Sequence, residues 1–194
     1  HDYADAIIAA PDDRLLLSLD PNPAELDPAA RGLVAQVVAS GEPAMGDFVR
    51  VEPSGLVHID AAAPIDDPSG RPIAVLILRC DPVTSLFPLL QTWPTPSESA
   101  EILLVRRDDD SILYLNVLRH SAAPALTLRV PLSRTDIPAA QAVLGRAGEY
   151  EGVDYRGVAV LADTRPIPRA PPVTRQIFPL MSVITLSISC ARLE

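Results

Sequence analysis

Gly41-Glu42-Pro43-Ala44-Met45-Gly46-Asp47-Phe48 and Gly148-Glu149-Tyr150-Glu151-Gly152-Val153-Asp154-Tyr155 are two copies of one plan, set about half the chain apart. Each follows an apolar stretch of helical spacing that a strand hairpin precedes. Each leads into further strands and closes on an apolar run ending in cysteine, Val75 to Cys80 and Thr185 to Cys190. A repeat of roughly one hundred residues is a small domain each time, not a solenoid unit. The reading is therefore of two similar modules, residues 1–92 and 93–194.

Working outward from the first copy, Tyr3 to Ala10 and Arg14 to Leu19 flank a Pro11-Asp12-Asp13 turn, a hairpin pattern. Asp27 and Pro28 are suited to cap and open a helix. Leu33, Val34, Val37 and Val38 recur at helical spacing, and Gly41 stops them. Phe48 to Glu52, Leu56 to Ala63 and Ile73 to Cys80 then read as a three-stranded meander around Pro53-Ser54-Gly55 and Asp66 to Gly70. The last strand is apolar at every position from Ile73 to Leu78, which predicts a central strand covered on both faces. Val83 to Gln91 reads as a short helix interrupted at Pro88, and Trp93 to Ser99 as a connector. The second copy repeats the order. Ile102 to Arg107 and Ile112 to Arg119 flank Asp108-Asp109-Asp110, Thr127 to Leu132 adds a strand, and Pro138 to Leu144 is helical. Tyr155 to Val158 turns into a strand ending at Thr164, and a closing strand lies within Ile177 to Ser189. The class is α+β.

A strand pair, a helix and three strands is the order of a PAS-like module. The wording agrees at Gly70-Arg71-Pro72-Ile73-Ala74-Val75-Leu76-Ile77-Leu78-Arg79, Gln91-Thr92-Trp93-Pro94-Thr95-Pro96-Ser97, Leu103-Leu104-Val105-Arg106-Arg107-Asp108 and Glu151-Gly152-Val153-Asp154-Tyr155-Arg156-Gly157-Val158. Over most of its length the chain resembles the double Cache (tandem PAS-like) extracytoplasmic sensor domains of bacterial membrane-bound histidine kinases and diguanylate cyclases. The resemblance implies two modules, each an antiparallel sheet of about five strands flanked by helices. It implies a membrane-distal, ligand-binding first module and a membrane-proximal second one. It further implies a periplasmic location on an inner-membrane protein, a small-molecule ligand and a homodimer; a carboxylate or amino-acid-like ligand is suggested by the polar face described below, not by the resemblance. Two features depart from that pattern. No long helix precedes the first module, and the segment from Arg169 to the Ser- and Thr-rich closing strand is unusual.

Composition narrows the function. Apolar residues make up 48% and charged residues 21% of 194, the balance of a globular chain. A net charge of −9, with scattered arginines and no lysine, argues against nucleic acid and against a polybasic membrane patch. The 21 prolines fall where elements should stop, as punctuation. No run approaches the roughly 20 apolar residues of a membrane-spanning helix, and no signal peptide is evident. The abrupt start at His1 and the closing Leu193-Glu194 read as an excised piece of a longer protein.

Side chains two apart on a strand share a face. Leu56, His58 and Asp60 therefore group, and across the Pro53-Ser54-Gly55 turn Phe48 and Arg50 can join them. An aromatic ring, a guanidinium, an imidazole and a carboxylate on an inner face would hold a small anion or zwitterion, with Arg50 as the fork. The same alternation equally fits a solvent face, with Val49, Val51, Val57 and Ile59 turned to the core. In the second module Tyr114 and Asn116 share a face, and Asp154-Tyr155 opens the other edge. A core aromatic and a turn-capping aspartate describe Tyr155 and Asp154 as well. Asp66-Asp67 and Asp108-Asp109-Asp110 lack the alternating ligands of a calcium loop, so no metal and no cofactor are expected. Histidine occurs only at positions 1, 58 and 120, and there is no nucleophile elbow, phosphate loop or zinc spacing. The chain reads as a sensor and not an enzyme; the alternative is a structural, dimerisation or partner-binding module of the same receptor type.

Overall fold

A computed structural model describes residues 3–22, 25–91, 99–166 and 181–187. The chain forms two compact units, the first built on His1–Ser85 and the second on Leu86–Pro168 with the strand at 181–187. Among the described residues no helix is long and apolar enough to cross a membrane.

In the first unit, β1 (Asp5–Ala9) and β2 (Leu15–Ser18) form the predicted hairpin. Helix α1 (Pro28–Ser40) starts where Asp27 accepts from the Ala30 N–H and ends on Gly41 at φ 68°, the left-handed cap that favours glycine. Then come β3 (Ala44–Met45), β4 (Val49–Val51), β5 (Leu56–Asp66), β6 (Pro72–Cys80) and the turn-length α2 (Pro82–Ser85). The sheet order is β2-β1-β6-β5-β3, with β4 also on β5, all antiparallel. Leu33, Val34 and Val37 of α1 pack on Ile7, Ala62, Val75 and Ile77, one face of the sheet. Each buried leucine, isoleucine or valine here stabilises by about 1.5–3 kcal/mol relative to exposure. Strand β6 is central as predicted, but its two faces differ. Val75 and Ile77 are fully buried beneath α1, whereas Leu76 and Leu78 on the opposite face are half-buried.

The second unit opens with α3 (Phe87–Gln91). The helix break falls at Leu86, not at Pro88, because proline is tolerated in a helix's first turn, where its missing N–H is not needed. Strands β7 (Glu101–Asp108), β8 (Ser111–Tyr114), β9 (Arg129–Pro131), helix α4 (Pro138–Val143), β10 (Gly148–Val153), β11 (Ala159–Pro166) and β12 (Met181–Ser187) follow. The sheet order is β10-β11-β12-β7-β8-β9. Strand β8 ends at Tyr114, short of the predicted Arg119. The additional strand expected within Thr127 to Leu132 is β9, and the closing strand lies at the centre, between β11 and β7. Ala139, Ala140 and Val143 of α4 pack with Val105, Ile112 and Val160. Both units are thus helix-backed antiparallel sheets, six strands each where about five were expected. The connector at Trp93 and the segment from Arg169 to Arg175 lie outside the described residues, as does Cys190.

Candidate functional site

Four charged side chains meet beneath the start of α1. Asp27 caps the helix with Oδ1, 2.9 Å from the Ala30 nitrogen, and turns Oδ2 into the fold. His58 and Asp60 lie two apart on β5 and so share a face. Arg79 is the register partner of Asp60 on β6, and it alternates in phase with Val75 and Ile77, towards α1. Its Nε donates to Asp60 Oδ1 at 3.0 Å and its Nη2 to Asp60 Oδ2 at 2.8 Å, a bidentate fork. The same Nη2 reaches Asp27 Oδ2 at 2.8 Å. His58 stands between the two acids. Nδ1 is 3.0 Å from Asp60 Oδ1, and Nε2 is 3.2 Å from Asp27 Oδ2, an ion-pair distance without hydrogen-bond alignment.

The electrostatics follow from that packing. Burial alone would push His58 down; the Asp27 and Asp60 carboxylates overcome burial and the opposing field of Arg79, and hold the imidazole above its ordinary 6.5. Burial would likewise raise both acids, and His58 and Arg79 hold them below the usual carboxylate range, helped at Asp27 by the Ala30 N–H. The result is two cations against two anions. Asp27, His58 and Asp60 also bring three donor atoms within 4.8 Å, a set able to hold a metal ion. Arg79 already sits 2.8 Å from both carboxylates, and its positive charge opposes a second cation there. On β6 the neighbouring Cys80 thiol is pushed up by burial and then by Asp60, which suppresses the reactive thiolate.

These shifts fix a pH dependence. A raised histidine pKa contributes stability that is complete below about 6.5 and is lost as pH rises through the folded-state value. The lowered aspartates contribute stability that is complete above about 3.8 and is lost as pH falls through theirs. The first unit should therefore be most resistant to unfolding between those limits and weaken on the alkaline side. Hydrogen exchange of β5 and β6 amides from pH 5 to 9 checks this. His58→Gln should remove the alkaline decline, and an unchanged decline in that variant would contradict the assignment.

A cleft of about 200 Å³ opens beside this cluster. Ala29, Gly32, Leu33 and Gln36 of α1 form one wall; Gly46, Asp47, Val49, His58 and Asp60 form the other. Gly46 donates its N–H to the Asp60 carbonyl at 2.7 Å. A Cβ there would stand 3.4 Å from that oxygen and 3.6 Å from Leu33, in ordinary contact with both. At Gly32, by contrast, nothing lies within 4 Å of where a Cβ would be.

Of the predicted first-module residues, His58 and Asp60 are brought together at this cleft. Phe48 is buried, and Arg50 lies on the other face. Val49 pairs with His58 and Arg50 with Val57, and the Arg50 guanidinium goes to Glu52 at 2.8 Å and the Gly55 carbonyl at 3.2 Å. The expected grouping of Arg50 with His58 is thus corrected by one residue of register. Asp27 and Arg79 were missed as site residues. Alternation along β6 was the available sign for Arg79; nothing in the sequence marked Asp27 beyond its capping position.

In the second unit, Tyr114 and Tyr155 meet edge to face, with centroids 5.6 Å apart. Tyr155 donates to Glu101 at 2.8 Å, while the Tyr114 hydroxyl is buried with no hydrogen-bond partner among the described residues. Burial and then neighbouring acids push both phenols up. Asn116 accepts from the Leu104 N–H and donates to the Ile102 carbonyl, pinning the chain to β7. Asp154 caps the β10–β11 turn through the Arg156 and Val158 N–H groups and pairs with Arg156. These groups are mostly occupied in holding the turn and strand ends.

No protein-family model and no curated protein matches the chain. Solved structures do. The ligand-binding domain of the Pseudomonas aeruginosa PAO1 amino-acid chemoreceptor PctC, in complex with GABA, aligns at TM-score 0.60 and 16% identity, over 95% of this chain and 74% of that one. The corresponding domain of PctB with L-Arg aligns at 0.61 and 14%, over 97% and 72%. The extracellular domain of the putative histidine kinase rpHK1S-Z16 aligns at 0.59 and 16%, over 96% and 71%. The chain spans only 30% of an extracellular ligand-binding receptor from Desulfohalobium retbaense DSM5692, at TM-score 0.60 and 14% identity. The likeness is one of fold, and it agrees with the α+β class of helix-flanked antiparallel sheets read from the sequence.

Proposed function

We propose that this chain is the extracytoplasmic small-molecule-sensing part of a transmembrane signalling protein, with the ligand held in the first unit's cleft. The carrying observation is that cleft. It lies between the helix and the sheet, is lined by polar groups that a buried ion network holds in place, and is bounded by a helix whose first turn is tied to that network through Asp27. A ligand pressing on α1 and β5 acts on the same Asp27–Arg79 link that fixes the helix start. Binding can therefore bias one of two arrangements of the unit, the requirement for a sensor. The second unit, whose Asn116 and Asp154 are taken up by its own strand and turn contacts, fits a transmitting role. The similar solved structures named above are ligand-binding or extracellular domains of receptors and of a histidine kinase, which supports this reading.

A thermal-shift screen of amino acids, organic acids and amines tests the reading. A ligand at one hundred times its Kd stabilises the folded state by about 2.7 kcal/mol. Gly32→Leu fills the cleft mouth, since a side chain there meets open space. It should abolish any shift while leaving the unliganded protein as stable or more so, because glycine within a helix costs about 0.5–1 kcal/mol. A panel that moves nothing would favour a structural or partner-binding module instead.

A further inference from the structure

His58 stands between the start of α1 and the sheet with both ring nitrogens turned to acids. Nδ1 is 3.0 Å from Asp60 Oδ1, and Nε2 is 3.2 Å from Asp27 Oδ2. Only the imidazolium carries a proton on each nitrogen; the neutral ring has one donor and one bare lone pair. Loss of the proton therefore leaves a lone pair against a carboxylate. Nδ1 makes the aligned hydrogen bond, whereas Nε2 has ion-pair distance alone. The neutral ring thus keeps its hydrogen on Nδ1 and turns the bare Nε2 to Asp27. The surrounding charges do not offset that loss. Arg79 spends Nε and Nη2 on Asp60 and shares Nη2 with Asp27. Asp47 lines the same cleft and adds a further carboxylate, its Oδ1 accepting the Phe48 N–H. Cys80, beside Arg79 on β6, feels the charge of Asp60, and its thiol is held protonated. Of the two acids facing His58, Asp27 has the freedom to yield, its side chain being 17% exposed against 4% for Asp60. Asp27 is also the cap of α1, taking the Ala30 N–H on Oδ1 and the Arg31 N–H on its carbonyl.

We propose that His58 is a proton-operated latch on α1: protonated, it ties the Asp27 cap to Asp60; deprotonated, it repels Asp27 and loosens the first turn of the helix. Arg79 still holds Asp27 through its shared Nη2, so the turn loosens without the unit unfolding. Ala29 lies in that turn and Gly32 just beyond it, both in the cleft wall. A proton and a ligand then act on the same piece of backbone, a consequence that rests on the sensing reading above. The stimulus is proton concentration in the range where histidine titrates. Burial alone would keep the ring neutral; the two acids reverse that, which puts the release on the alkaline side of the ordinary 6.5.

NMR titration and amide hydrogen exchange of the 194-residue chain from pH 5 to 9, in EDTA and without added ligand, test it. The His58 ring resonances should titrate with a midpoint above 6.5. Across that midpoint the protection factors of Ala30 and Arg31 should fall about fivefold more than that of Val37, the fold-change matching the usual worth of one helix cap. Val37 lies farther along the same helix, and unfolding of the whole unit would lower all three alike. His58→Gln should remove the pH response. Asp27→Asn keeps a capping oxygen but takes away the charge facing Nε2. It should lower the His58 midpoint by about one unit or more and leave Ala30 and Arg31 indifferent to pH. A His58 that titrates while Ala30 and Arg31 keep pace with Val37 overturns the latch. So does a response that survives in either variant, or a ring that does not titrate. None of these outcomes touches the sensing reading, which a flat thermal-shift screen removes; a flat screen in turn leaves the latch standing.

Discussion

Arg79→Met is expected to destabilise the first unit by about 3 kcal/mol, the lower end of the range for removing one partner of a buried ion pair. The methionine keeps most of the stem's packing, so the loss is chiefly electrostatic. Asp60, only 4% exposed, is left with its bidentate partner gone, and Asp27 loses the donor that ties the helix start to β6. His58 remains and compensates in part, which keeps the figure from the top of the range. For a unit of this size the midpoint should fall by on the order of 10–20 °C. The deficit should shrink in acid, because protonating the acids removes the charges Arg79 was balancing. Adding Asp60→Asn to Arg79→Met should recover part of the loss, as the cycle then lacks the uncompensated carboxylate. Hydrogen exchange confined to β1, β5 and β6 measures this unit apart from the other. A loss below about 0.5 kcal/mol would place the four-charge cluster with ordinary surface pairs.

The elements around this cluster were more legible than the cluster. The hairpin, the cap at Asp27 and the stop at Gly41 follow from local chemistry, and local chemistry is what one sequence carries. The register is not local. A three-residue turn at Pro53-Ser54-Gly55 would pair Glu52 with Leu56 and hence Arg50 with His58. The structure pairs Val51 with Leu56 instead, leaving a four-residue connection from Glu52 to Gly55. One residue of slip exchanges the two faces of a strand, so Arg50 leaves the site and Val49 enters it. Arg79 was hidden differently. It closes a run so apolar that burial on both faces seemed to follow, yet Val75 and Ile77 share its parity and point under α1. Its partner Asp60 is nineteen positions away, across a turn and a register shift between Ile65 and Asp66 that together set the pairing. The two-residue β3 is too short to leave any pattern.

The two copies also use their glycines differently, and one substitution separates them. Gly152→Ala is expected to destabilise the second unit by about 3 kcal/mol, whereas Gly32→Ala should be neutral or stabilising in the first. Both lie inside regular elements, where alanine is normally preferred by about 0.5–1 kcal/mol. The difference is space. At Gly32 an added Cβ meets nothing within 4 Å. At Gly152 it would collide with the Asp136 carbonyl oxygen and stand 3.0 Å from Pro138 Cδ. That carbonyl also accepts the Val153 N–H at 3.0 Å, so β10 is docked edge-on against the segment that starts α4. Arg134 grips the Asp136 carboxylate with two 2.8 Å bonds, which fixes the obstacle from the other side. Backbone cannot yield as a flexible side chain would, and overpacking of this kind costs about 1–3 kcal/mol or more. Gly152→Val should be worse. Denaturant melts of the two alanine variants, with exchange measured separately on β5 and on β10–β11, check the opposite signs. Equal behaviour of the two would mean that the approach of β10 to Asp136 is loose, and that the second copy of the motif is not held by the contact its glycine permits.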